Sequence, residues 1–76
     1  MSTAAESESK TINLVVNGQA MAAQAGTLAA LIDEMGYTGQ KVATALNGEF
    51  VAARARAGTM LHAGDQIEIV APRQGG

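Results

Sequence analysis

The 76-residue chain contains no cysteine and no tryptophan, a single proline, one tyrosine and one phenylalanine. The missing cysteine excludes disulfides, thiol catalysis and thiolate metal sites together. With so few aromatics, no run of Lys or Arg and a net charge of −2, the chain lacks both the stacking platform and the phosphate-binding stripe of a nucleic-acid binder. No apolar stretch approaches the length of a membrane span. Met1–Lys10 is rich in Ser, Ala and Glu and has no apolar centre, so it does not read as a secretory signal. The expectation is a cytoplasmic protein whose residues 1–10 form a disordered lead-in. All three serines (Ser2, Ser7, Ser9) fall in that lead-in, which argues against a serine-borne acyl carrier. His62 has no second His and no Cys to join it, which gives no basis for a metal site. No nucleophile and base pair stands out either, so the chain does not read as an enzyme.

What is present is a thin apolar framework. Alanine supplies 16 of the 36 hydrophobic residues, leaving 20 larger ones to build a core. A domain of this size buries a limited fraction of its surface and has no room to enclose a large cofactor. Ile12, Leu14 and Val16 alternate along Thr11–Val16, as on one face of a strand. Asn17-Gly18 suits the positive φ angles of a type I′ turn, returning through Gln19–Gln24. Thr27 is placed to cap a helix. Leu28, Leu31, Ile32 and Met35 then form one apolar stripe at helical spacing. Gly36 falls where a left-handed terminating residue is expected.

A second hairpin is predicted from Val42–Leu46 through Asn47-Gly48 to Glu49-Phe50-Val51. Ala52–Thr59 has little pattern and reads as an irregular connection, followed by Met60-Leu61 as one apolar turn. Ala63-Gly64-Asp65 is a turn that Asp65 supports. Gln66–Val70 is the last strand, with Ile67 and Ile69 facing in and Glu68 out. Residues 71–76, with Pro72 and the pair Gly75-Gly76, should leave the sheet as a flexible tail. Arg54 and Arg56 read as surface residues. Phe50, Val51 and Met60 fit either the core or an exposed docking patch.

The predicted fold is α+β: a mixed sheet of four to five strands covered by one helix, over residues 11–70. The element order places the first and last strands side by side in parallel, joined by a long crossover. This is the β-grasp arrangement of ubiquitin. The stretches Ile12–Gly18 (INLVVNG), Ala45–Val51 (ALNGEFV), Leu61–Val70 (LHAGDQIEIV) and Ala71–Gly76 (APRQGG) together resemble the ubiquitin-like sulfur carriers of cofactor biosynthesis. Among these the chain looks most like the thiamine-biosynthesis (ThiS-type) carriers. That family often has Pro-Arg soon after its second Asn-Gly hairpin, where this chain has Ala52-Ala53 with Arg54 beyond.

The resemblance implies a carrier, not an enzyme, with no bound cofactor. By that resemblance its sulfur would sit on the Gly76 carboxylate; the absence of cysteine separately excludes a side-chain persulfide. An adenylyltransferase of the ubiquitin-activating type (ThiF-like), using ATP and Mg²⁺, would adenylate that carboxylate. A persulfide from a cysteine-desulfurase-type donor would convert it to a thiocarboxylate, and thiazole synthase (ThiG-like) would take the sulfur. Arg73, Gln74 and Gly75 would thread with Gly76 into the partner, where glycine's missing side chain permits close approach. Arg54, Phe50 and Met60 are candidate partner contacts. Two further readings use the same tail: the small subunit of molybdopterin synthase (MoaD-like) and a ubiquitin-like protein modifier. In a third, a β-grasp binding module, the tail is idle.

Overall fold

The computed structural model describes residues 11–71. Five strands and one α-helix follow in the order β1 (Ile12–Val16), β2 (Gln19–Ala23), α1 (Leu28–Glu34), β3 (Ala43–Leu46), β4 (Glu49–Val51) and β5 (Gln66–Val70). They form one mixed sheet in the spatial order β2-β1-β5-β3-β4. β1 and β5 run in parallel at its centre, with Val15 opposite Gln66 and Val16 opposite Ile67. Every other pairing is antiparallel. The helix covers one face, giving the expected β-grasp architecture with all five strands.

Both hairpins are the tight kind. Val16 pairs with Gln19 and Leu46 with Glu49, so each loop is the two-residue Asn-Gly itself. Asn17 and Gly18 have φ of 52° and 83°, Asn47 and Gly48 of 50° and 86°, the left-handed pair that a type I′ turn requires and that matches strand twist.

The helix is cut to length by its ends. Thr27 Oγ1 accepts a hydrogen bond from the Ala30 N–H at 3.1 Å, satisfying one of the donors that a helix start leaves free. At the other end Gly36 adopts φ +89°. The Tyr37 N–H then reaches the Ile32 carbonyl and the Gly36 N–H the Asp33 carbonyl, both at 3.0 Å. This is the Schellman arrangement. It also returns Tyr37 to pack against the core.

Leu14, Val16, Ile67 and Ile69 from the two central strands meet Leu28, Leu31 and Ile32 of α1, and all are buried. Ala23, Ala25 and Leu61 complete that core, while Met35 is partly buried against it. This buried cluster puts the hydrophobic centre on the helix side of the sheet.

Three sequence expectations are corrected. Ala53–Gly58 is a 3₁₀ helix, not an irregular stretch. Its Thr59 end is closed by a backbone bond to the Arg56 carbonyl at 3.1 Å and by Thr59 Oγ1 donating to the Ala55 carbonyl at 2.7 Å. Met60-Leu61 is not a turn: Met60 makes a single antiparallel bridge to Thr27, and Leu61 is buried. Arg56 is not simply a surface residue. Its Nη2–H donates to the Val42 carbonyl at 2.6 Å and its Nε–H to Thr44 Oγ1 at 2.9 Å. Thr44, 2% exposed, in turn donates to the Val51 carbonyl at 2.8 Å. One arginine thus ties the 3₁₀ helix to β3 and, through Thr44, to β4. Among the described residues no buried side-chain polar atom is left without a partner.

Candidate functional site

β5 is the strand that carries the chain toward the tail, and its position is over-determined. It lies between β1 and β3, and at each side an asparagine extends the ladder past the point where the main chain turns away. On the β1 side, the Asn17 N–H donates to the Ile67 carbonyl at 2.9 Å. The backbone then bends into the hairpin, and the side chain continues in its place. Asn17 Oδ1 accepts from the Ile69 N–H at 2.9 Å, and Nδ2 donates to the Ile69 carbonyl at 3.2 Å. On the β3 side, the Asn47 N–H donates to the Gln66 carbonyl at 2.7 Å. Asn47 Oδ1 accepts from the Gln66 N–H at 2.9 Å, and Nδ2 donates to Asp65 Oδ1 at 3.1 Å. Sequence reasoning placed both asparagines as turn formers only. Their second role depends on a strand more than eighteen positions away, and no local pattern signals it.

Asp65 links the start of β5 to its turn. Its Oδ2 accepts from the His62 N–H at 2.8 Å, as expected for a residue supporting that turn. The Asn47 side-chain amide and then the His62 N–H hold its carboxyl below the ordinary aspartate value, partly opposed by desolvation. The His62 ring sits 3.9 Å away with its side chain 78% exposed. It faces one carboxylate, and among the described residues no group of three or more His, Cys, Asp or Glu gathers as a metal site.

At the far end of β5, Val70 points away from the core and is 63% exposed. Alternation along the strands puts Val70 and Glu68 of β5, Ala43 and Ala45 of β3, and Phe50 of β4 on the sheet face opposite α1. The register makes them neighbours: Val70 opposite Ala43, Glu68 opposite Ala45, and Ala45 opposite Phe50. Phe50 is 73% exposed. Small residues on β3 leave a shallow floor between two larger apolar side chains. An open groove of about 310 Å³, lined by Lys41, Val42, Ala43 and Val70, continues this surface to the root of the tail. Phe50 and Val70 are the large apolar side chains exposed on this face among the described residues, with Glu68 between them in the register, which makes the face a candidate docking surface.

The remaining candidates fall elsewhere. Met60 is exposed, but it pairs with Thr27 at the start of α1 and is not among the residues of the Phe50–Val70 face. Arg54 lies exposed on the 3₁₀ helix and makes no side-chain hydrogen bond or ion pair among the described residues. Arg73, Gln74, Gly75 and Gly76 lie outside the described residues. A second cleft of about 200 Å³ runs beside the helix end, past Asp33, Tyr37 and Arg56. Its charged groups are already engaged, Asp33 by the Thr38 hydroxyl at 2.9 Å and Arg56 by β3. No helix among the described residues is long and apolar enough to cross a membrane.

The family model of the ThiS family matches residues 14–76. A solved structure described as the thiamine biosynthesis protein ThiS from Geobacter metallireducens is similar to this chain at a TM-score of 0.70 and 28% identity. The match covers 86% of this chain and 100% of that one. No curated protein matches the chain.

Proposed function

This chain belongs to the ThiS family of small sulfur carriers in thiamine biosynthesis, and on that premise we propose that it carries sulfur as a thiocarboxylate on Gly76. One observation carries the reading: the family match continues without a break from the β-grasp fold through Gly76, and β5 leads directly to that segment. The chain acts as a co-substrate of other enzymes.

The chemistry follows from the weakness of a carboxylate as an electrophile. A ThiF-like adenylyltransferase joins the Gly76 carboxylate to the α-phosphorus of ATP, and pyrophosphate leaves. Mg²⁺ held by that enzyme offsets the phosphate charge. The terminal sulfur of a persulfide, supplied by a cysteine-desulfurase-type donor, attacks the acyl carbon and AMP leaves. A thiol then cleaves the sulfur–sulfur bond, leaving the thiocarboxylate and a disulfide. Thiazole synthase receives the sulfur.

The described structure supports two parts of this proposal. The anchored β5 gives the tail a rigid root, so that Arg73, Gln74 and Gly75 can direct Gly76 into a partner without the fold itself moving. Six residues beyond β5 reach at most ~20 Å, at ~3.3 Å each. The partner's active site must therefore lie within that distance of Val70. The Phe50–Ala45–Val70 face and its groove supply the docking surface, with Arg54 at a separate exposed position on the 3₁₀ helix. Met60 is the weakest of the candidate contacts, since it lies on another part of the surface.

The test is reconstitution of thiazole formation with this chain as the only sulfur source. The proposal predicts product with ThiF-like and ThiG-like partners. Productive binding to a molybdopterin synthase large subunit instead would assign the chain to that pathway. Covalent ladders on a denaturing gel would assign it as a protein modifier.

A further inference from the structure

The two Asn-Gly turns share a chemical liability that the fold treats unequally. In such a pair the glycine backbone nitrogen attacks the asparagine side-chain Cγ. A nitrogen–carbon bond forms, the bond from Cγ to Nδ2 breaks, and ammonia leaves. Water then opens the cyclic imide to aspartate or isoaspartate. Glycine favours the attack because no Cβ shields its nitrogen, and asparagine is among the thermolabile residues for this reason. The reaction requires the amide to swing over the following nitrogen, so an amide fixed at both its oxygen and its nitrogen is protected.

Asn17 is fixed at both atoms by the backbone of a single residue, Ile69, through bonds that are partly buried. Asn47 is fixed differently. Its Oδ1 is held by the Gln66 N–H, but among the described residues its Nδ2 is held only by the Asp65 side chain, and both bonds are exposed. A side-chain partner in contact with water opens more readily than a central strand. We propose that Asn47 is the site of spontaneous succinimide-mediated modification in the folded protein, and that the paired bonds to Ile69 keep Asn17 unreactive.

The consequence falls on the start of β5. Conversion replaces the Nδ2 donor by a carboxylate oxygen 3.1 Å from the Asp65 carboxylate, two like charges where a hydrogen bond stood. Isoaspartate also adds a main-chain carbon to a two-residue hairpin, which disturbs the register of β3 with β4. This chemistry is independent of the sulfur-carrier reading.

The experiment incubates the full chain in mildly alkaline buffer and follows both sites by peptide mass mapping, with isoaspartyl methyltransferase as a second readout. In the folded chain Asn47 converts at least ~10-fold faster than Asn17, while in denaturant the two rates agree within ~2-fold, since local opening no longer distinguishes them. Asp65→Ala accelerates Asn47 several-fold and leaves Asn17 unchanged. Three results overturn the proposal: equal rates in the folded chain, the same ratio persisting in denaturant, or both sites inert in the folded chain. The wild-type comparison decides the matter even if Asp65→Ala fails to fold.

Discussion

Replacing Arg56 by alanine removes two donors at once: the Nη2–H bond to the Val42 carbonyl at 2.6 Å and the Nε–H bond to Thr44 Oγ1 at 2.9 Å. A hydrogen bond to a charged group contributes ~1.5–3 kcal/mol, and these partly buried ones belong at the low end, so together they contribute ~3 kcal/mol. Releasing the arginine side chain returns ~1 kcal/mol of rotamer entropy. The net loss is about 2 kcal/mol, a large share of the stability of a domain this small. At ~4–8 °C per kcal/mol for a 60–100-residue domain, the midpoint should fall by roughly 8–16 °C. Urea and thermal unfolding followed by circular dichroism measure both quantities. Arg54→Ala, on the same 3₁₀ helix, is the internal control and should stay within ~0.5 kcal/mol of wild type. Arg56→Lys keeps the charge and one donor and should fall between. In a double-mutant cycle with Thr44→Val, the two changes should couple by ~0.5 kcal/mol or more, because the residues share one network. If Arg56→Ala is indistinguishable from Arg54→Ala, or its effect adds to that of Thr44→Val without coupling, the clamp is not a structural device.

Other consequences are as direct. Gly36→Ala should cost ~1–2 kcal/mol, the strain of a left-handed β-carbon, because open space around the site means only the backbone at φ +89° resists; urea unfolding measures it. Asp65 has a lowered folded pKa, so its contribution to stability is complete above the ordinary aspartate value of 3.8 and is lost as pH falls below that through the folded value. Acid titration of stability should therefore show a component between those limits that Asp65→Ala abolishes. Phe50→Ser, at a 73% exposed position, should change stability by under ~0.5 kcal/mol yet weaken association with the adenylating partner by ~10-fold or more, as expected when an aromatic anchor is lost. Calorimetric titration reads that change, and unaltered affinity would remove the sheet face from the docking surface.

Much of the fold is legible in local pattern. The two Asn-Gly hairpins, the Thr27 cap, the Gly36 terminus and the alternation of Ile67 and Ile69 each act over a few residues, and each agrees with the structure. What escapes is interaction across the chain. Ala53–Gly58 carries no apolar periodicity because none of its residues is buried; its helix is held by Arg56 reaching β3 instead. The exposure of Phe50 and the partial burial of Val51 follow from which way β4 registers on β3, and three residues of strand do not declare that in advance. The clamping of Ile69 by Asn17 spans 52 positions. Of the candidate site, the tail chemistry rests on the motif and the family, whereas the exposed face bearing Phe50 and Val70 emerges only when β3, β4 and β5 are placed side by side.

The central claim is chemical, and intact mass measurement tests it most directly. The full chain is incubated with ATP, Mg²⁺, its adenylating partner and a persulfide source with a thiol reductant. The predicted result is a mass gain equal to one oxygen replaced by sulfur, located to Gly76 by fragmentation and absent when Gly76 is deleted. A chain whose mass is unchanged under conditions in which the same partner thiolates another carrier, or one that acquires sulfur anywhere other than Gly76, contradicts the account.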